Sequence, residues 1–111
     1  MKRKTLYDLL NAIVPTYSVG QIVGVIKEDC IILRRSSDIP SLSNNLAYWE
    51  QWSIDIYSPY SPANVDEIVV QVKDAIKEKD CKIENLISGD YYDSVLKAFS
   101  TTMVIQTPNI L

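Results

Sequence analysis

The chain contains no histidine, and that absence excludes more function than any other feature of the composition. Imidazole is the commonest general base and metal ligand, and it is the partner of most activated serine and cysteine nucleophiles. Ser53 and Ser58 therefore have only a Ser–Lys arrangement open to them, and nothing in the sequence signals one. Cysteine is scarce as well. Cys30 and Cys81 stand alone in apolar stretches without CxxC spacing, so metal and redox motifs are missing. They read as reduced core residues, and a disulfide between them requires adjacent strands. Three glycines, Gly20, Gly24 and Gly89, form no phosphate-cradling loop. Phenylalanine occurs once against seven tyrosines. Internal repeats and low-complexity tracts are absent. A net charge of −3 speaks against the broad basic footprint of a sequence-specific nucleic-acid binder.

What is present is an ordinary globular composition: 111 residues, 47% hydrophobic and 23% charged, enough for one domain over residues 1–111 with a single two-layer core and no membrane span. The stretch Trp52-Ser53-Ile54-Asp55-Ile56 alternates large apolar and polar side chains, the period-2 signature of a half-buried strand. Pro59 and Pro62 stop it and make a stiff connection into a helix reaching about Lys79. Two caps fit that helix start, Ser61 ahead of Pro62 or Asn64 with Glu67 three residues on. Val65, Ile68, Val69, Val72, Ala75 and Ile76 lie at helical spacing on one side, and charged residues take the other.

Elsewhere the elements are shorter. Lys2, Arg3 and Lys4 precede an apolar run, but Asp8 and Asn11 interrupt it and Pro15-Thr16-Tyr17 is no small-residue cleavage site. An amphipathic helix capped by Thr5, with Asp8 as box partner, is expected, presenting Leu6, Leu9, Leu10 and Ile13 and ending before Pro15. Residues 22–26 and 30–33 predict a hairpin around Lys27-Glu28-Asp29. Residues 36–45, rich in Ser, Asn, Asp and Pro, predict a long loop. A strand from Cys81 through Ile87 is expected to end at the turn signal Ser88-Gly89-Asp90, with Tyr91 and Tyr92 in the following loop. Val95, Leu96 and Ala98 fit either a helical turn or the approach to a last strand through Phe99, Thr101, Met103 and Ile105. The expected fold is α+β: a mostly antiparallel sheet of about four or five strands with two helices on one face, in the order α-β-β-β-α-β-β.

Acidic residues give no metal site, because Asp66-Glu67 suit a helix start and Asp90 with Asp93 suit a turn. Tyr48, Tyr57, Tyr60, Tyr91 and Tyr92 fall near strand ends and loops, a placement of half-wet aromatic rings that suits protein interfaces. Their neighbours are Asp, Ser and Pro rather than Lys and Arg, which favours protein contact over nucleic-acid stacking. Val70 lies off the apolar stripe of its helix, and Trp49 falls on the strand face opposite Trp52. Both are candidates for subunit contacts, together with Tyr57, Tyr60, Tyr91 and Tyr92.

Taken in order, a short N-terminal helix, Cys30-Ile31-Ile32-Leu33-Arg34, a polar loop, Trp52-Ser53-Ile54-Asp55-Ile56-Tyr57-Ser58, the helix bearing Val65-Asp66-Glu67-Ile68-Val69, and a last strand resemble the tail-terminator and tail-completion (head–tail joining) proteins of long-tailed bacteriophages. The resemblance spans most of the chain, and its specific part is Ile-Asp-Ile-Tyr-Ser between strand and helix. It implies a virion structural protein of the tail or neck, made in the bacterial host cytoplasm. It also implies a homo-oligomeric ring, commonly a hexamer, that caps the tail tube protein and meets the head connector or adaptor, with no enzyme activity and no cofactor. Tyr91-Tyr92 and residues 36–45 map to no contact of that family. Two other readings stay open: a head-completion adaptor or minor capsid protein, and a small cytosolic ligand-binding domain or enzyme.

Overall fold

The computed structural model describes residues 2–22, 24–40 and 47–110, with the side chains of residues 36–40, 47–49, 85, 87–90 and 108–110 outside that description. Helix α1 (Arg3–Asn11) leads into the short strand β1 (Thr16–Ser18), and β2 (Cys30–Pro40) and β3 (Ala47–Ser58) follow. Helix α2 (Pro62–Lys77) then precedes β4 (Lys82–Asp93) and β5 (Ala98–Ile110). The five strands form one sheet in the order β1-β2-β3-β5-β4. All pairings are antiparallel except β1 with β2. This is the expected α+β order, with a mixed sheet.

Strand β3 is the middle of the sheet and its alternation builds the core. Trp52, Ile54 and Ile56 are buried. Their register partners, Ile31 and Leu33 on β2 and Met103 and Ile105 on β5, are buried on the same face. Both helices close this face, α1 through Leu6 and Leu10 and α2 through Val65, Ile68, Val69, Val72 and Ile76. Each such aliphatic side chain contributes about 1.5–3 kcal/mol before chain entropy is counted. Ala75 is only half-buried, so the α2 stripe is narrower than its sequence pattern.

Of the two caps that fit α2, the structure uses Ser61, whose Oγ accepts the Asn64 N–H at 3.3 Å, with Pro62 in the first turn where no N–H is needed. The cap expected for α1 is not formed. That helix begins at Arg3 after an uncapped Lys2, so Thr5 lies within its first turn and Asp8 instead meets Lys4 at 3.0 Å, one turn apart. At its far end, Asn11 Oδ1 accepts the Thr16 N–H at 3.0 Å, which ties α1 to β1 across Pro15.

Three further expectations are corrected. The described residues among 22–26 form no strand. Gly20 and Gly24 take φ of +89° and +88°, a conformation that breaks a ladder, and β1 pairs with β2 in their place. The loop curls over the far end of the helix-free face, where Ile26 donates its N–H to the Leu96 carbonyl at 2.9 Å and is buried with Cys30 and Ala98. The long loop is shorter than expected, since β2 runs to Pro40 and β3 starts at Ala47; the remaining residues, 41–46, lie outside the described residues. Finally, Ser88-Gly89-Asp90 does not end a strand. The register jumps there from Ile87↔Thr102 to Tyr91↔Ser100, so a turn signal is spent on a bulge and Tyr91 and Tyr92 remain in β4. The chain reverses after them instead. Asp93 Oδ1 accepts the N–H groups of Val95 and Leu96, both at 2.9 Å, and Lys97 takes φ of +55° before β5.

Candidate functional site

Alternation along β2, β3 and β5 gives the sheet a second face, opposite the one that α1 and α2 cover, that no described helix covers. Its centre is Asp55, whose carboxylate accepts the Thr102 hydroxyl at 2.9 Å and lies 3.5 Å from the Arg34 guanidinium. Asp55 is the hub because it stands in β3 between both partners, opposite Ile32 on β2 and Thr102 on β5. Around it, Arg34, Asp55, Tyr57, Tyr91, Asp93, Ser100 and Thr102 line a shallow groove of about 310 Å³. The loop carrying Ile26 roofs the adjacent end of the face, packing Tyr17, Ile22, Tyr57 and Leu96 around Cys30 and Ala98.

That roof sets the protonation of the groups beneath it. Burial, reinforced by the Asp55 and Asp93 carboxylates, pushes the Tyr57 phenol up to about 12. Burial, with Glu28 and Asp29 adding to it, pushes the Cys30 thiol up to about 11. Both groups are therefore neutral at physiological pH. A protonated phenol beside Asp55 and Arg34 can donate a hydrogen bond, and a protonated, buried thiol is a poor nucleophile. The arrangement offers hydrogen-bonding groups at the groove, and neither Tyr57 nor Cys30 is an activated nucleophile there. Cys81 precedes β4, which β5 and β3 separate from β2, so the two cysteines stand apart and both are free thiols. Among the described residues, no three Asp, Glu or Cys side chains are placed to hold a metal. No described helix is long and apolar enough to cross a membrane.

The six candidate contact residues scatter over the molecule. Tyr57 and Tyr91 meet at the groove, with Tyr91 63% exposed. Tyr92, next to it in β4, points to the other side and packs edge-on against Phe99 with ring centres 5.1 Å apart. Tyr60 sits in the β3–α2 connection, largely exposed, and donates its hydroxyl to the Lys27 carbonyl at 3.2 Å. Val70 is 57% exposed on the outward side of α2. Trp49 pairs through its backbone with Ile39 and Pro108, and its side chain lies outside the described residues. Asp55, Arg34 and Thr102 were missed as site residues. The signal was available, because the same alternation that buries Ile54 and Ile56 places Asp55 with Tyr57 on the opposite face.

A second polar cluster lies at the β1 end of the sheet. Trp52, buried in the core, has the Arg3 guanidinium 5.2 Å and the Arg35 guanidinium 6.0 Å from its ring centre, and its indole N–H donates to Thr107 Oγ1 at 3.0 Å. Arg3, Ser18, Val19, Leu33, Arg34 and Arg35 surround a notch of about 350 Å³ there.

No protein-family model and no curated protein sequence matches the chain.

Proposed function

We propose that the protein is a bacteriophage or prophage virion structural protein, a tail-terminator or tail-completion subunit that forms a ring at the end of the tail tube and joins it to the head connector. The observation that carries this reading is the placement of exposed apolar side chains. Val19 at one end of the sheet, Val70 on the outside of α2, and Ile83, Tyr91 and Tyr92 on β4 at the other end are all at least 43% exposed, as are Val25, Tyr60 and Val95 in the connections. Apolar patches on unlike parts of one small protomer suit heterologous contacts, in which each copy offers a different surface to each neighbour, and such contacts close into rings. The α+β order expected from the resemblance supports the same reading.

Light scattering over a roughly hundredfold range of protein concentration tests it. The expected result is a mass that climbs toward a fixed multiple of the protomer, with closed rings in negative-stain images and co-sedimentation with tail tubes. A single-protomer mass throughout, with no binding to tubes, overturns it. Copurification with portal rather than with tail tube would assign the protein to the head-completion adaptors. The groove around Asp55 favours one other reading, a small ligand-binding domain, because several polar groups converge there beside a protonated phenol.

A further inference from the structure

We infer that the groove on the open sheet face is a carbohydrate site, taking one neutral hexose unit against Tyr91 and the Arg34–Asp55 pair; this rests on the groove as a ligand site and not on the ring. Strand register builds the groove. Tyr57, Ser100 and Tyr91 pair in turn across β3, β5 and β4, so they form one row of side chains. The small Ser100 between two tyrosines leaves the gap. Asp55 and Thr102 pair in the neighbouring row, and Arg34 reaches Asp55 from β2. Tyr92, one residue on, packs against Phe99, whereas the Tyr91 ring stays 63% exposed at the groove.

The lining decides which ligand is accepted. Arg34 and Asp55 lie 3.5 Å apart and offset each other, and Asp93 Oδ1 is committed to the Val95 and Leu96 N–H groups. An anion arriving at Arg34 therefore meets Asp55 and Asp93, and a cation arriving at Asp55 meets Arg34. An apolar ligand would strip water from these groups without replacing its hydrogen bonds. A neutral sugar carries neither penalty. Each of its hydroxyls both donates and accepts, and the groove supplies both partners: Asp55 accepts, while Arg34, its side chain 52% exposed, has donors beyond the one that faces Asp55. The Tyr57 phenol, protonated at neutral pH, adds a further donor. Tyr91 completes the match, because a hexose pairs an apolar C–H face with a hydroxyl rim, and an exposed tyrosine set among polar groups has the same two-sided character. At about 310 Å³ the groove lies at the small end of ligand sites, with room for one ring and not for a chain.

Saturation-transfer NMR of the full chain with maltose, lactose, mannobiose and diacetylchitobiose tests the inference, with inorganic phosphate and arginine amide as charged comparisons. At least one disaccharide is expected to bind with a Kd of about 1 mM or tighter. Raised salt should change that little, since no net charge is being paired. Tyr91→Ala and Asp55→Asn should each weaken binding about tenfold or more. Asp55→Asn keeps the shape of the side chain and serves alone if Tyr91→Ala fails to fold. Val70→Ser, on the outside of α2, should leave sugar binding unchanged even where it weakens assembly. Retention of the protein on the polysaccharide of the sugar that binds would assign the ligand as a unit of a chain, and its absence would assign a free sugar. Tighter binding of phosphate or arginine amide overturns the sugar and keeps the groove as a ligand site. No binding of any probe, or sugar binding that both variants leave intact, overturns the groove as well, and neither result bears on the ring.

Discussion

Ile54 and Asp55 are neighbours in one strand, and they belong to two different proteins in all but covalent terms. Ile54 is buried under both helices, in a face where every described β3 and β5 side chain at its level is aliphatic or thioether. Asp55 points the other way, into a face of Arg34, Thr102, Ser100 and Tyr57, where it accepts a hydrogen bond from Thr102 and pairs with Arg34, and which is roofed at one end. The covered face draws on apolar burial, which is large and non-directional, and it sets the fold. The open face draws on a few directional contacts between half-wet groups, which add little stability and leave their remaining hydrogen-bonding capacity for something else. Stability and recognition are thereby divided between alternate residues of the same strands.

The division breaks most visibly at the first of the pair. Ile54→Ala removes a fully buried side chain from the centre of the core, and chemical denaturation should show a loss of about 2–5 kcal/mol. Asp55 tolerates replacement far better, as argued below. A comparable loss at both positions would mean that the open face is part of the core.

Alkaline pH probes the boundary between the two faces, under the loop that carries Ile26. The Cys30 thiol has an ordinary value of 9.0, raised to about 11 in the fold, and the Tyr57 phenol goes from 10.0 to about 12. In the unfolded chain these groups lose their protons first, so the unfolded state binds fewer protons and rising pH favours it. The stabilising contribution is complete below pH 9 and is lost as pH rises from 9 through 12. For Cys30 the effect is on the order of 1–2 kcal/mol. Denaturation midpoints should fall over that window, and Cys30→Ala should remove the early part of the fall. A midpoint that is flat to pH 11 in the unmodified protein would mean that the roof does not shield the thiol.

How much of this the residues declared in advance follows the same division. The period-2 run through Trp52, Ile54 and Ile56 and the helical stripe from Val65 to Ile76 announced the covered face, because burial writes itself into periodicity. Punctuation was less legible. Gly24 sits in the middle of the apolar run 22–26 that reads as a strand, and its positive φ interrupts it, whereas Ser88-Gly89-Asp90 reads as a turn and forms a bulge. A local signal says that the ladder is interrupted; whether the chain then reverses depends on pairing with β5, which is remote in sequence. The Thr5 cap lost to an earlier helix start in which Leu6 and Leu10 reach the core and Lys4 meets Asp8. The open-face site was half legible. Tyr57 and Tyr91 were singled out by residue type, but Arg34, Asp55 and Thr102 read as ordinary polar alternation, and only the register of three strands brings them within hydrogen-bond reach.

Asp55→Ala is the sharper test of the open face. It strips Thr102 of its acceptor and Arg34 of its counter-charge, but both partners remain within reach of water, so the expected cost is about 1 kcal/mol. The larger change is local. With one of its neighbouring carboxylates gone, the Tyr57 phenol should titrate lower than about 12, while staying above its ordinary 10.0 because burial is the main cause of its shift. Spectrophotometric titration of the tyrosines checks this. A titration curve unchanged by Asp55→Ala would separate Tyr57 from the Asp55 cluster and dissolve the groove as a unit.

The smallest effect on stability belongs to a third surface, outside both faces. Val70→Ser changes an exposed side chain on the outer side of α2, and thermal unfolding of the dilute protein should move by no more than about 0.5 kcal/mol. If copies seat this helix against one another, the same substitution should nevertheless weaken assembly, because a knob that contributes nothing to one protomer is buried between two. A variant that is stable but assembly-defective would extend the division of labour seen along β3 to the helix that covers it. A Val70→Ser protein that is clearly destabilised as a single copy would return Val70 to the core and remove it from the contacts between copies.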